Sequence, residues 1–115
     1  LLLKMPWYDQ AYEGASCILE DPPEAVVCIN DIMTMAIMKR ILESGLSIPR
    51  DISVAGFDDI MFSALVSPPL TTVHQPLQEI CEQTMQLLMD AMEGAAEGEG
   101  VHLIAPHLVV RETTA

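Results

Sequence analysis

Ala25-Val26-Val27-Cys28-Ile29-Asn30-Asp31, followed by a second run of the same kind at Ile52-Ser53-Val54-Ala55-Gly56-Phe57-Asp58-Asp59, decides the fold. Each starts as a short apolar segment rich in β-branched side chains, the composition of a strand buried on both faces within a parallel sheet. Each ends on polar residues. Between them, Ile32 to Ser44 reads as a helix, with Asn30-Asp31 offering an N-cap, Gly45 a stop and Pro49 lying just beyond. Strand, helix and strand joined by short connections make a βαβ unit, which is right-handed almost without exception. The sheet is therefore expected to be open and parallel, with helices on both faces. Such a sheet binds ligands outside the carboxyl ends of its strands, where Asn30-Asp31 and Asp58-Asp59 both fall.

Upstream, Tyr8 to Glu20 has helix-compatible apolar spacing at Ala11, Ala15, Ile18 and Leu19, and Asp21-Pro22-Pro23 stops it. Downstream, Ser67 to Pro76 carries prolines at both ends and favours an extended connector. Leu77 to Glu93 then repeats apolar residues near the 3.6 period and reads as a long amphipathic helix. Glu93 to Gly100 is a small, polar loop, and Leu103 to Val110 reads as two short β segments broken at Pro106. A helix and strands after a connector suggest a second lobe.

Composition sets outer bounds. With 115 residues, half of them apolar, the chain holds one modest core: one domain, or a piece of one. Its apolar runs are a few residues long, against the roughly 20 a membrane helix needs. Leu1-Leu2-Leu3-Lys4 lacks an initiator Met and reads as a cut edge inside a longer chain. Seventeen acidic against five basic residues give a net charge of −12, which repels a phosphate backbone and argues against direct nucleic-acid binding by these residues. Cys17, Cys28 and Cys81 are odd in number with no CxxC pair, as expected of reduced, buried thiols in a cytosolic protein. His74, His102 and His107 lack metal-ligand spacing, so no metal or cofactor is expected. No nucleophile elbow is present, and Asp58 and Asp59 are neighbours that point opposite ways if extended. Catalysis is not expected.

Five segments together point to a family. Pro23 to Asp31, Glu43-Ser44-Gly45-Leu46-Ser47-Ile48-Pro49, Asp51 to Asp59, Pro68-Pro69-Leu70-Thr71-Thr72-Val73-His74-Gln75-Pro76 and Leu108-Val109-Val110-Arg111-Glu112-Thr113-Thr114 occur in an order and spacing that resemble LacI/GalR-type transcriptional regulators. The resemblance spans about residues 8 to 115 and implies a periplasmic-binding-protein-like fold, two α/β lobes joined by crossing segments that close on a ligand. It implies that 1–69 is the C-terminal half of the C-terminal lobe, 70–76 an inter-lobe crossing, and 77–115 the final helix and strands of the N-terminal lobe. The DNA-binding end would lie outside this chain. The implied function is sensing of a sugar or purine-like effector by a cytoplasmic homodimer; the rival is an exported solute-binding component of a sugar transporter.

The resemblance also assigns roles. Asp58 is matched to the first Asp after Gly-aromatic, which accepts hydrogen bonds from an effector; its other reading is an N-cap for the turn Ile60 to Leu65. Asn30 either faces the effector or caps the following helix, and Asp31 is the more structural of the two. Gln75 is matched to a polar contact near the hinge. Trp7, the only Trp, is matched to an aromatic that stacks on a sugar or purine, although it stands one residue nearer Tyr12 than the family spacing and Ala11 replaces a preferred Gly. Met33, Met35, Met38 and Ile41 form a soft apolar face for the core, and Met35 with Lys39 fits a dimer interface.

Overall fold

The computed structural model of the chain describes residues 6–94 and 100–115; Leu1-Leu2-Leu3-Lys4 and most of the Glu93 to Gly100 loop lie outside these. The elements are α1 (Pro6–Glu20), β1 (Ala25–Val27), α2 (Asp31–Glu43), β2 (Ser53–Asp58), a 3₁₀ turn (Met61–Ala64), β3 (Thr71–His74), α3 (Leu77–Met92) and β4 (His107–Val109). The strands form one sheet in the order β1-β2-β3-β4. β1 and β2 run parallel with Val26 opposite Val54, and β2 and β3 run parallel with Gly56 opposite Thr72 and Asp58 opposite His74. The expected βαβ unit is present, and the extended connector supplies β3.

Two compact units divide the chain: residues up to His74 together with Leu108–Ala115, and Gln75–His107. In the first, Ala11 and Ala15 of α1 are buried with Ala36, Ile37, Met38 and Ile41 of α2 and with Ile52, Val54 and Leu70. Short side chains at Ala11, Ala15 and Ala36 suit two helices that pack against each other. Ile41, Ile52, Val54 and Leu70 are wholly excluded from solvent, each contributing on the order of 2 kcal/mol.

Local signals account for the element boundaries. Asn30 is extended and accepts a hydrogen bond from Met33 N at 2.8 Å, so it caps α2. Gly45, at φ 87°, turns the chain out after the Ser44 C-cap, a conformation a Cβ would strain. The last residues are stitched to the starts of β2 and β3: Val54 N donates to Thr113 O at 2.7 Å, Thr71 N to Thr113 Oγ1 at 2.8 Å and Glu112 N to Pro69 O at 2.9 Å. These bonds place 108–115 with the first unit, whereas the sequence reading attached them to the segment after Leu77.

Other expectations are corrected. β1 is not buried on both faces: it ends the order of described strands, and Val27 and Ile29 are 80% and 72% exposed. An apolar run shows that a strand suits a covered position but not which neighbours this chain contains to cover it. Cys28 is buried as expected, but Cys17 and Cys81 are exposed; all three are free. Burial pushes the Cys28 thiol up, with a weaker opposing pull from Thr34. Of the two tail segments around Pro106, only the later forms a strand. In the second unit, α3 buries none of its residues, and its amphipathic pattern leaves Leu77, Met85, Leu88 and Met92 exposed.

Candidate functional site at the strand ends

Asp31 organises the carboxyl edge of the sheet. It opens α2, where the partial positive charge of the helix N-terminus favours a carboxylate, and its side chain is completely buried. Oδ2 accepts from Ser63 Oγ at 2.5 Å and Ile60 N at 3.1 Å, and Oδ1 accepts from Thr72 Oγ1 at 2.6 Å. Three donors from three segments thus converge on one buried group, which is what makes a buried carboxylate tolerable. Gly56 completes the arrangement. A Cβ there would lie 2.2 Å from Asp31 Oδ1 and 2.9 Å from Thr34 Oγ1, so β2 can pass this close to α2 only without a side chain.

The Asp31–Ile60 bond ties the Asn30-Asp31 turn to the turn that follows β2. Asp58 ends β2, half-buried, with φ at 117°, and Asp59 follows with φ at 53°. The Asp59 side chain, 15% exposed, accepts from Arg111 Nη2 at 2.6 Å through Oδ1 and from His74 Nδ1 at 2.9 Å through Oδ2. Burial works to raise the Asp59 carboxyl, but the bonds from Arg111 and His74 outweigh it and hold the group below its ordinary value. Arg111 is fixed in turn, donating from Nη1 to Leu70 O at 2.7 Å and from its backbone N to Thr71 Oγ1 at 2.9 Å. The sheet edge is therefore a polar rim in which Asp58, the last residue of the β2–β3 ladder, leads into an ion-paired turn.

Residues 4–114 match the family described as the periplasmic binding protein-like domain. The chain belongs to that family. Among its periplasmic-binding-protein-like relatives, the HTH-type transcriptional repressor PurR of Vibrio vulnificus strain CMCP6 is 40% identical over 94 residues, which is 82% of this chain and 28% of that protein. The chain thus spans about 28% of the length of the curated relatives it matches. A dimeric Lac repressor superimposes with a TM-score of 0.83 at 34% identity, covering 90% of this chain and 39% of the other. A complex of the transcriptional regulator CelR with cellobiose gives 0.86 at 30% identity, covering 92% and 33%. The chain is homologous to these transcriptional regulators and has the α/β architecture of the family, as its sequence signatures implied.

Within this periplasmic-binding-protein-like frame, the Asp31–Ile60 bond joins the turns that follow Asn30 and Asp58 at one edge of the first unit. Asn30 does cap α2 through Oδ1, and Asp31 is structural. Asp58 is not an N-cap: the 3₁₀ turn starts after Ile60 and has no side-chain cap. Trp7 stands in the first turn of α1, 63% exposed, and takes no part in the strand-end hydrogen-bond network of the described residues. Gln75 follows β3 directly, as the first residue of the second unit. Met35 and Lys39 line a groove of about 440 Å³ on α2 with Met38, Leu42, Glu43, Val66 and Ser67. Lys39 pairs with Glu43 at 3.9 Å and lies 5.4 Å from the centre of the Tyr12 ring. Sequence reasoning missed the Asp59–His74–Arg111 cluster. Its members are 15 and 52 positions from Asp59, and nothing local in the chain links them.

Proposed function

We propose that the chain is part of the effector-sensing domain of a LacI/GalR-type, DNA-binding transcriptional regulator. The observation that carries this is the 40% identity to an HTH-type transcriptional repressor in a chain where the polar turns after the first two strands are tied together by the Asp31–Ile60 bond. The effector is a sugar or purine-like molecule. Asp58 accepts hydrogen bonds from it, Asn30 adds a donor-acceptor amide beside its capping role, Gln75 contributes near the hinge, and Trp7 stacks on it. The likeness to a cellobiose-bound regulator supports the sugar class.

In this reading the first unit belongs to the C-terminal lobe, residues 70–76 lead out of it across a crossing, and the segment from Leu77 belongs to the N-terminal lobe, with 108–115 returning to the first. Met35 and Lys39 lie on the homodimer face. DNA is contacted by a segment outside these residues, whose net charge of −12 would repel it. The protein is cytoplasmic and performs no catalysis; no helix among the described residues is long and apolar enough to cross a membrane.

Calorimetric titration of the full-length protein with cellobiose, lactose, adenine and guanine tests the assignment. Binding of one compound is expected, weakened about ten-fold or more by Asp58→Ala because a charge-assisted acceptor is lost. Unchanged affinity in that variant would remove Asp58 from the site. Binding of a sugar by a protein that is exported and never occupies DNA would favour the transporter component instead.

A further inference from the structure

Asp59, at φ 53°, has an ordinary left-handed conformation for an aspartate, whereas Asp58, at φ 117°, lies outside the region that side chains with a Cβ readily adopt. Such a residue persists only where its surroundings over-determine it. They do so here. Up to and including Asp58, the ladder pairs Gly56 with Thr72, Phe57 with Val73 and Asp58 with His74. After it, the Asp59 carboxyl is gripped by Arg111 and His74, and Ile60 N is held by buried Asp31. The Arg111 guanidinium cannot swing away without also releasing the Leu70 carbonyl. A glycine at 58 would take this backbone without strain but would carry no carboxyl.

Resting on the reading that Asp58 meets the effector, we infer that Asp59 and Arg111 are positioning residues whose ion pair imposes the strained, positive-φ backbone at Asp58 and so sets the direction in which its carboxyl leaves the strand. Neither needs to touch the effector. The strain is held by contacts within the protein, so the direction of the binding carboxyl is set by the fold itself.

The test on the full-length protein compares glycine with alanine at 58. Both substitutions remove the carboxyl, but only glycine relieves the backbone. Asp58→Gly is expected to melt above Asp58→Ala, the reverse of the order at an unstrained position, where glycine is the less stable. Arg111→Met, with Asp59→Asn as the second route should the first fail to fold, releases the turn and shrinks or reverses that gap. A gap of the same size with and without the ion pair would overturn the inference. For whichever of cellobiose, lactose, adenine or guanine the unsubstituted protein binds, folded Arg111→Met is expected to bind about ten-fold more weakly although Asp58 is intact. Arg111→Lys, which keeps the charge but cannot donate to both Asp59 and Leu70, recovers part of the loss. Undiminished affinity in Arg111→Met would also overturn it. Binding of none of the four by the unsubstituted protein counts against the functional reading, and the melting comparison still decides the role of the ion pair.

Discussion

Gly56 and Asp31 show how one missing side chain and one buried carboxylate depend on each other. A Cβ at 56 would overlap Asp31 Oδ1, and that oxygen is itself held by Thr72. Gly56→Ala is therefore expected to destabilise the protein by about 1 to 3 kcal/mol, read from urea denaturation, with most of the effect on stability and not on the slope. Asp31→Ala removes the acceptor for two buried hydroxyls and one backbone N–H, and is expected to lower stability by about 3 kcal/mol or more. A change under about 0.5 kcal/mol in either variant would contradict the packing described. The placement of Asp31 at a helix start was legible in the sequence, as was its structural character. The identity of its partners was not, because Ser63 and Thr72 lie 32 and 41 positions away.

At the scale of elements, α2 and β2 were readable because their signals are local: a capping Asn, a terminating Gly and an apolar β-branched run. Asn30 combines two roles that a substitution can separate. Asn30→Ala is expected to lose about 1 kcal/mol through the missing cap, whereas Asn30→Ser keeps an oxygen for Met33 N and should retain most of that stability. If Asn30 also meets the effector through its amide, Asn30→Ser will weaken effector binding while its denaturation midpoint stays near that of the unsubstituted protein; unchanged binding would leave Asn30 a cap alone. β1 and α3 were legible as elements but not in their surroundings. Periodicity reveals which face of α3 is apolar, yet the exposure of Leu77, Met85 and Leu88 depends on what else lies beside it. The tail was misassigned for a related reason: its bonds to Pro69, Thr71 and Val54 are long-range, and β propensity says nothing about which strand a segment joins.

For the whole molecule, the Asp59 cluster makes stability depend on acid. The folded-state carboxyl lies below its ordinary value, so it binds fewer protons folded than unfolded at intermediate acidity. Its contribution is fully present above the unfolded value of about 3.9 and is lost as pH falls through the lower folded value. Urea midpoints measured from neutral pH down through about pH 3 should fall along this limb, and the fall should be shallower in Arg111→Met. Parallel acid limbs in the two proteins would show that Arg111 does not depress Asp59. The family and the α/β fold were legible from five ordered segments. Asp58 was legible as the residue that ends its strand, whereas Asn30 lies three residues beyond the end of β1, as the cap of α2. The clamp on Asp58 was not, since it depends on residues far apart in sequence.

Chromatin immunoprecipitation with the tagged full-length protein, in cells grown with and without the sugar or purine it binds, tests the regulator assignment most directly. A dimeric regulator predicts recovery of a few discrete sites sharing a two-fold related sequence, with occupancy that changes when the effector is supplied. A protein that recovers no discrete DNA under either condition and is found outside the cell membrane would contradict it.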